Sequence, residues 1–286
     1  MNNLSSKTHV INLLLKHNLK PKKRYGQNFL VDNFVIQKII TQAQITKNDL
    51  IIEIGPGLGV LTQELAKKAK NVCAIEIDTN FLSILSQNLA DFKNIEIINA
   101  DILKTDIRTI LSRYTYTNAM AISNLPYYIT TPIIFHILEN NLPMSQLIFM
   151  IQKEVANRIL AKPGTKDYGL LTLSLAYYAK AELIANVPAN SFLPRPDVSS
   201  AVIKLTLNQN LTKSPKEKKA FFTITKAAFA NRRKTLLNCL AFGLNISKQS
   251  SEELILSSGF SPTVRGEALC LEDFKKIACN YIKTMI

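Results

Sequence analysis

The tetrapeptide Asn124-Leu125-Pro126-Tyr127, followed by Tyr128, carries more chemistry than any other stretch of the chain. It follows the apolar run Ala119-Met120-Ala121-Ile122, which reads as a short buried strand ending in Ser123. An amide, a proline and two aromatics at a strand end suit the grip of a flat, amine-bearing ring. The amide oxygen and a backbone carbonyl accept hydrogen bonds from an exocyclic NH2, and an aromatic face stacks on the ring. The same residues also suit a polar turn with proline as the breaker.

Upstream, another apolar run leads into Glu53-Ile54-Gly55-Pro56-Gly57-Leu58-Gly59. Three glycines between a strand and a helix let the backbone turn sharply and approach a ligand closely. No Gly-Lys-Ser/Thr follows, so this is not a P-loop. The spacing G-x-G-x-G also misses the dinucleotide fingerprint. An acid at Glu53 is unwelcome beside a pyrophosphate at a helix N-terminus, but suits a ligand with a cationic centre. The next two strands end in Glu76-Ile77-Asp78 and Asn99-Ala100-Asp101. Glu76 can accept from ribose hydroxyls, and Asp101 from the amino group of an adenine with Ile102 beside the ring. Each acid alone could be a helix cap or a surface charge. Glu53, Glu76, Asp101 and Asn124 at the ends of successive strands together fit a nucleoside that carries a cation and no phosphates. S-adenosylmethionine is such a ligand.

The elements that must position these residues alternate. Helical periodicity over 34–41, 58–70, 80–89, 131–138 and 153–160 is interleaved with apolar runs at 49–54, 72–77, 95–99, 119–123 and 147–151. That order predicts an α/β fold with a parallel sheet covered on both faces. A helix over 168–178 follows. Strands at 182–187 and 201–207, separated by the loop Phe192-Leu193-Pro194-Arg195-Pro196, then predict an antiparallel closure of the sheet. A polar stretch over 208–219 reads as a linker to a small all-helical domain, with helices over 220–229, 235–242, 252–257 and 272–283. Residues 1–24 are basic and free of acids, and read as a mobile or partly ordered arm. The domain boundaries follow as 1–24, 25–208 and 209–286.

Lys+Arg number 35 against 21 for Asp+Glu, and the net charge of +14 makes a polyanionic partner, nucleic acid or an anionic membrane, the natural expectation. No apolar run approaches the length of a membrane span, and the first residues lack a secretory pattern. Cys73, Cys239, Cys270 and Cys279 form no C-x-x-C pair, and His9, His17 and His136 lack metal-ligand spacing. A reducing cytoplasm and no metal site are expected. His136, inside an apolar helical run, reads as structural.

These motifs together resemble the ribosomal RNA adenine dimethyltransferases, specifically the small-subunit enzymes, over nearly the whole chain. The resemblance rests on Lys23-Arg24-Tyr25-Gly26-Gln27-Asn28-Phe29-Leu30, Glu53 to Gly59 and Asn124 to Tyr127. It also rests on Phe192 to Val202, Asn231-Arg232-Arg233-Lys234-Thr235-Leu236 and Arg265-Gly266-Glu267-Ala268-Leu269. It implies a Rossmann-like class I methyltransferase sheet. Asn28, Leu30, Gly55, Glu76, Asp101 and Asn124 would contact S-adenosylmethionine, Tyr127 would stack on the target adenine, and Leu125 and Pro126 would complete the catalytic motif. Two positions depart from the family pattern. Tyr25 stands where Phe is common, and Leu237 where another Arg is common, a change that would remove one phosphate contact.

The expected reaction is N6,N6-dimethylation of two adjacent adenosines in the 3′-terminal hairpin loop of 16S rRNA, within a partly assembled small subunit, by a monomer. Adenine N6 is a poor nucleophile whose lone pair must be localised by acceptors, Asn124 and the Leu125 or Pro126 carbonyl. A sulfonium methyl needs no strong base, in keeping with the absence of a catalytic histidine. Lys22, Lys23, Arg24, Arg195, Arg232, Arg233 and Lys234 are the candidate RNA contacts. The competing readings are a large-subunit methylase of the macrolide-resistance type and a non-catalytic assembly factor.

Overall fold

A computed structural model describes residue 4 and residues 6–19, 27–208, 211 and 214–285. Lys22, Lys23 and Arg24, with the rest of segment 20–26, lie outside the described residues.

In chain order the elements are α1 (Lys7–Lys16), β1 (Phe29–Leu30), α2 (Asn33–Ala43), β2 (Leu50–Ile54), α3 (Val60–Lys68), β3 (Asn71–Glu76), α4 (Leu82–Asn88), β4 (Ile95–Asn99), α5 (Ile107–Ser112), β5 (Ala119–Asn124), α6 (Thr130–Glu139) and β6 (Met144–Gln152). They continue with α7 (Lys153–Ile159), α8 (Leu170–Tyr178), β7 (Ala179–Val187), β8 (Phe192–Leu193), β9 (Ser200–Leu207), α9 (Pro215–Ala228), α10 (Leu236–Leu244), α11 (Lys248–Ser257) and α12 (Leu271–Met285).

The chain divides into two compact units, Met1–Ala156 with Glu182–Leu207, and Asn157–Ala181 with Asn208–Ile286. The sequence reading draws one boundary near residue 208. In the structure, residues 157–181 join the second unit, because the ring of Tyr177 stacks on Phe221 of α9 at 4.8 Å.

The first unit is built on a sheet of order β4-β3-β2-β5-β6-β9-β7. β2 to β6 run parallel, and β9 runs antiparallel to β6. Every residue of β2 is buried, as a strand covered on both faces requires. From β2 the chain steps outward through β3 to β4, then returns to place β5 on the other side. That reversal leaves a crevice at the carboxyl ends of β2 and β5, where open α/β sheets bind ligands.

Three features depart from the sequence reading. Residues 7–16 form α1 rather than part of an arm, since Val10 and Leu14 stand one turn apart and both enter the main core. The Pro-rich loop contributes β8, which pairs antiparallel with β1 in the register Phe29↔Leu193 and Leu30↔Phe192. α5, unforeseen in the sequence, starts at Asp106, whose carboxylate accepts from the Arg108 and Thr109 N–H groups.

Apart from the first residues of β7, the regular elements of the second unit's described residues are helical. α9 packs on α10 and α12, with Phe229 and Phe274 rings 5.9 Å apart. Gly243 of α10 lies directly on Ala227, so close that a Cβ there would come within 2.6 Å of the Ala227 Cβ.

Candidate active site

One cleft gathers most of the predicted site residues. Asn28, Leu30, Gly55, Glu76, Asp101, Asn124, Leu125, Pro126 and Tyr127 all line it, with Glu53, Ile102 and Tyr128. The sheet explains why: β2, β3, β4 and β5 deliver the glycine loop, Glu76, Asp101 and Asn124 to the same edge.

Glu76 closes β3 and is buried. Its carboxylate accepts from the Gly57 N–H at 3.3 Å and from the Asp78 N–H at 2.8 Å. A carboxylate offers about four lone-pair sites, and the Ile77 N–H also acts on it, so part of its capacity remains for a ligand's hydroxyls. Burial raises the Glu76 pKa, and these N–H donors oppose the rise. Gly57 permits the approach: its φ is +59°, and a Cβ there would press on the Phe29 ring at 3.2 Å.

Glu53 is more deeply placed than a surface counter-ion would be. It is 2% exposed, one carboxylate oxygen has no hydrogen-bond partner, and burial pushes its pKa up to about 8. An orphaned buried carboxyl at a cleft is a place for a cationic or hydrogen-bond-donating ligand group. Two buried carboxyls offer acceptors, and a negative charge that forms most readily beside a cation, so they suit a cationic nucleoside better than the pyrophosphate of a dinucleotide. Asp101 divides its work, as Oδ1 accepts from the Leu103 N–H at 3.0 Å and caps a single 3-10 turn over Ile102–Lys104.

The tetrapeptide is held from three sides. The Asn124 side-chain NH2 donates to the Asn28 carbonyl at 3.0 Å, which aims Oδ1 the other way. The Leu125 N–H donates to Met150 O of β6 at 3.1 Å. The Tyr127 and Ser200 hydroxyls share a hydrogen bond at 2.5 Å. Burial raises the Tyr127 pKa, so the phenol stays protonated at neutral pH. The Pro126 carbonyl is already used, accepting from Thr130 Oγ1 at 3.0 Å and the Ile129 N–H at 3.2 Å. Of the two backbone acceptors considered in the sequence, Leu125 O is therefore the one left for a ligand amine.

A family model described as "Ribosomal RNA adenine dimethylase" matches residues 18–257. The chain belongs to that family. Among its relatives, "Ribosomal RNA small subunit methyltransferase A" of Lachnoclostridium phytofermentans is 46% identical over 279 residues, covering 96% of each chain. The protein of the same name from Clostridioides difficile is 42% identical, over 100% of this chain and 99% of its own. Among solved structures, a dimethyladenosine transferase from Plasmodium falciparum superposes with a TM-score of 0.77 at 25% identity, covering 89% of this chain and 98% of that one. The structure of the 23S rRNA methyltransferase ErmE, 24% identical with a TM-score of 0.69, shares the fold.

Within this family member, sequence reading missed several contributors. Gln27 lines the cleft and donates to Asp78 at 3.0 Å, tying the N-terminal motif to the end of β3. Ser123 Oγ accepts from the Ile54 N–H at 2.8 Å and fastens β5 to the root of the glycine loop. Ser200 is fully buried behind Tyr127. Gln27 and Ser200 both sit in motifs quoted above, so the signal was position in a motif, without an assigned partner.

The RNA-contact candidates divide. Arg195, Arg233 and Lys234 are exposed. Arg232 is exposed as well, but it is also engaged within the second unit, donating to Lys166 O at 2.7 Å and pairing with Glu267 at 3.4 Å. His136 Nε2 lies 3.3 Å from Thr105 O, a structural contact. All four cysteines are free, Cys73 and Cys239 buried. Among the described residues, no helix is long and apolar enough to cross a membrane.

Proposed function

We propose that this protein transfers methyl groups from S-adenosylmethionine to N6 of two adjacent adenosines in the 3′-terminal hairpin loop of 16S rRNA, giving dimethyladenosine at each, and serves in small-subunit biogenesis. The observation that carries this reading is the Asn124 amide, fixed by Asn28 with its oxygen directed away, beside the Tyr127 ring and the cleft that holds Glu53, Glu76 and Asp101. Family membership and full-length similarity to small-subunit methyltransferases support it.

When bound, S-adenosylmethionine supplies an electrophilic methyl on a sulfonium, a leaving group that needs no protonation. Glu76 holds the ribose hydroxyls, Asp101 the adenine amino group, and Gly57 lets the backbone close over the nucleoside. Asn124 Oδ1 and Leu125 O accept the two N–H bonds of the substrate's NH2, which localises the N6 lone pair and points it along the line of attack. Tyr127 stacks on the extruded base. Most of the rate comes from alignment, a source worth up to about 7–11 kcal/mol in well-oriented reactions. After transfer the nitrogen's extra proton passes to water. Lys22, Lys23, Arg24, Arg195, Arg233 and Lys234 are the basic residues proposed to meet phosphates, with the helical unit as an RNA-binding domain.

The test is tritium transfer from methyl-labelled cofactor to small-subunit RNA, naked and as a partly assembled subunit. The proposal expects label in adenosines next to each other, and loss of label with Asn124→Ala. Undiminished incorporation by that variant would sink the role given to the tetrapeptide.

A further inference from the structure

Ser200 has no role in the mechanism as derived so far, and its placement asks for one. It is the first residue of β9 and is 0% exposed, whereas Arg195, Asp197, Val198 and Ser199 before it are exposed. Its hydroxyl meets the Tyr127 hydroxyl at 2.5 Å. Both partners hang on β6: Ser200 is in register with Gln152, and Asn124 with Met150. The Leu125 N–H donates to Met150 O, and the Lys153 N–H to Ser199 O at 3.0 Å. The end of β6 thus fixes the catalytic loop on one side and Ser200 on the other, and the shared hydrogen bond closes the frame.

A tyrosine ring with free χ1 and χ2 samples several rotamers. Tethering its hydroxyl fixes χ1, and with it where the ring stands, while both faces stay clear of the bond. The oxygen lies on the χ2 axis, so the plane is restrained only by the in-plane preference of the phenol O–H. We propose that Ser200 is a positioning residue of this active site, holding the Tyr127 ring at the place where the substrate adenine stacks. The late-strand segment Val198-Ser199-Ser200 thereby acts on the base through Tyr127, without touching it. The inference rests on the proposed function, since it needs an RNA base to be the stacked ring.

The experiment is a double-mutant cycle on the full-length protein with Ser200→Ala, Tyr127→Phe and the pair. Tyr127→Phe cuts the same bond from its half-buried end and keeps the ring, so the test survives if Ser200→Ala folds poorly. Each single variant is expected to lose about tenfold in kcat/KM for RNA methylation, the effect of one hydrogen bond and a loosened ring. The pair is expected to lose no more than either alone, with the dissociation constant for S-adenosylmethionine unchanged. A 2-aminopurine at a target position should be quenched less by both singles. Multiplying losses in the pair, or wild-type kcat/KM in Ser200→Ala, would overturn the assignment and leave the proposed function standing. A wild-type protein that moves no methyl to RNA would overturn both.

Discussion

The Asn124 side chain and the Asn28 backbone carbonyl are joined by a hydrogen bond of 3.0 Å. One residue ends β5 and the other precedes β1, so the bond staples the N-terminal motif onto the catalytic loop. It also decides the orientation of the amide, because an NH2 can donate to a carbonyl and an amide oxygen cannot. Two substitutions separate the tasks. Asn124→Ala removes the acceptor and should raise the barrier by roughly 2–4 kcal/mol, as loss of one preorganised polar group does. Asn124→Asp keeps an acceptor but sets a carboxylate against the Asn28 carbonyl. It should therefore lose most of its activity too, together with thermal stability. Label transfer and melting curves on both variants check this, and an active Asn124→Asp would count against the staple.

Gly57 offers a second test. With φ at +59° and the Phe29 ring 3.2 Å from where a Cβ would stand, Gly57→Ala combines left-handed strain with a clash. The strain alone costs about 1–2 kcal/mol. The Gly57 N–H also donates to Glu76, so displacement of the loop disturbs the carboxylate expected to hold ribose. Cofactor affinity measured by calorimetry should fall about tenfold or more. Unchanged affinity would place the ligand elsewhere.

Most of the first unit was legible because parallel strands are short apolar runs punctuated by the residues that do the work. Ile95–Asn99 was read residue for residue, and β2, β3 and β5 within a residue or two. The cleft followed, since acids at strand ends must meet at one edge. What stayed hidden depends on distant partners. β1 and β8 are two residues each, too short for a period, and exist only because the chain returns to pair them. The Tyr127 to Ser200 and Asn124 to Asn28 bonds are equally non-local. Residues 157–181 read as the tail of the α/β order, and contacts far apart in sequence, such as the Tyr177 and Phe221 stack and the Tyr168 hydroxyl donating to Leu269 O, attach them to the helical unit. The attachment of Arg232 was equally hidden, since its carbonyl partners, Lys166 and Thr165, lie far away in sequence.

That attachment separates three adjacent cations. Arg232→Ala should destabilise the protein by about 1–2 kcal/mol, as expected when a guanidinium leaves backbone carbonyls, with a lowered melting temperature. Arg233→Ala and Lys234→Ala remove exposed side chains and should leave stability within about 0.5 kcal/mol. If they contact phosphate, each should lower the salt dependence of RNA binding by about one ion. Titrating RNA binding against salt concentration, beside melting curves, distinguishes the two classes. Weakened binding by Arg232→Ala at unchanged stability would return it to the phosphate contacts.

Glu53 makes the protein's behaviour depend on pH in a direction that can be worked out. Burial raises its pKa from 4.5 to about 8, so between those values the ligand-free folded protein holds a proton that the unfolded chain has released. Stability from this group is therefore complete below about pH 4.5 and falls as pH rises towards 8, by at most about 1.4 kcal/mol per unit. Glu53→Gln, which cannot ionise, should remove that part of the slope. Urea unfolding of both proteins at pH 5.5 and pH 8 gives the comparison, and Glu76, raised in the same direction, is common to both. Ligand binding should run the other way. A cationic cofactor favours the ionised carboxylate, so its uptake by the wild type should release a proton near pH 7 and tighten as pH rises to 8, whereas Glu53→Gln should show neither. Calorimetry in buffers of different ionisation enthalpy measures the released proton, and an identical result for both proteins would remove Glu53 from contact with the cation.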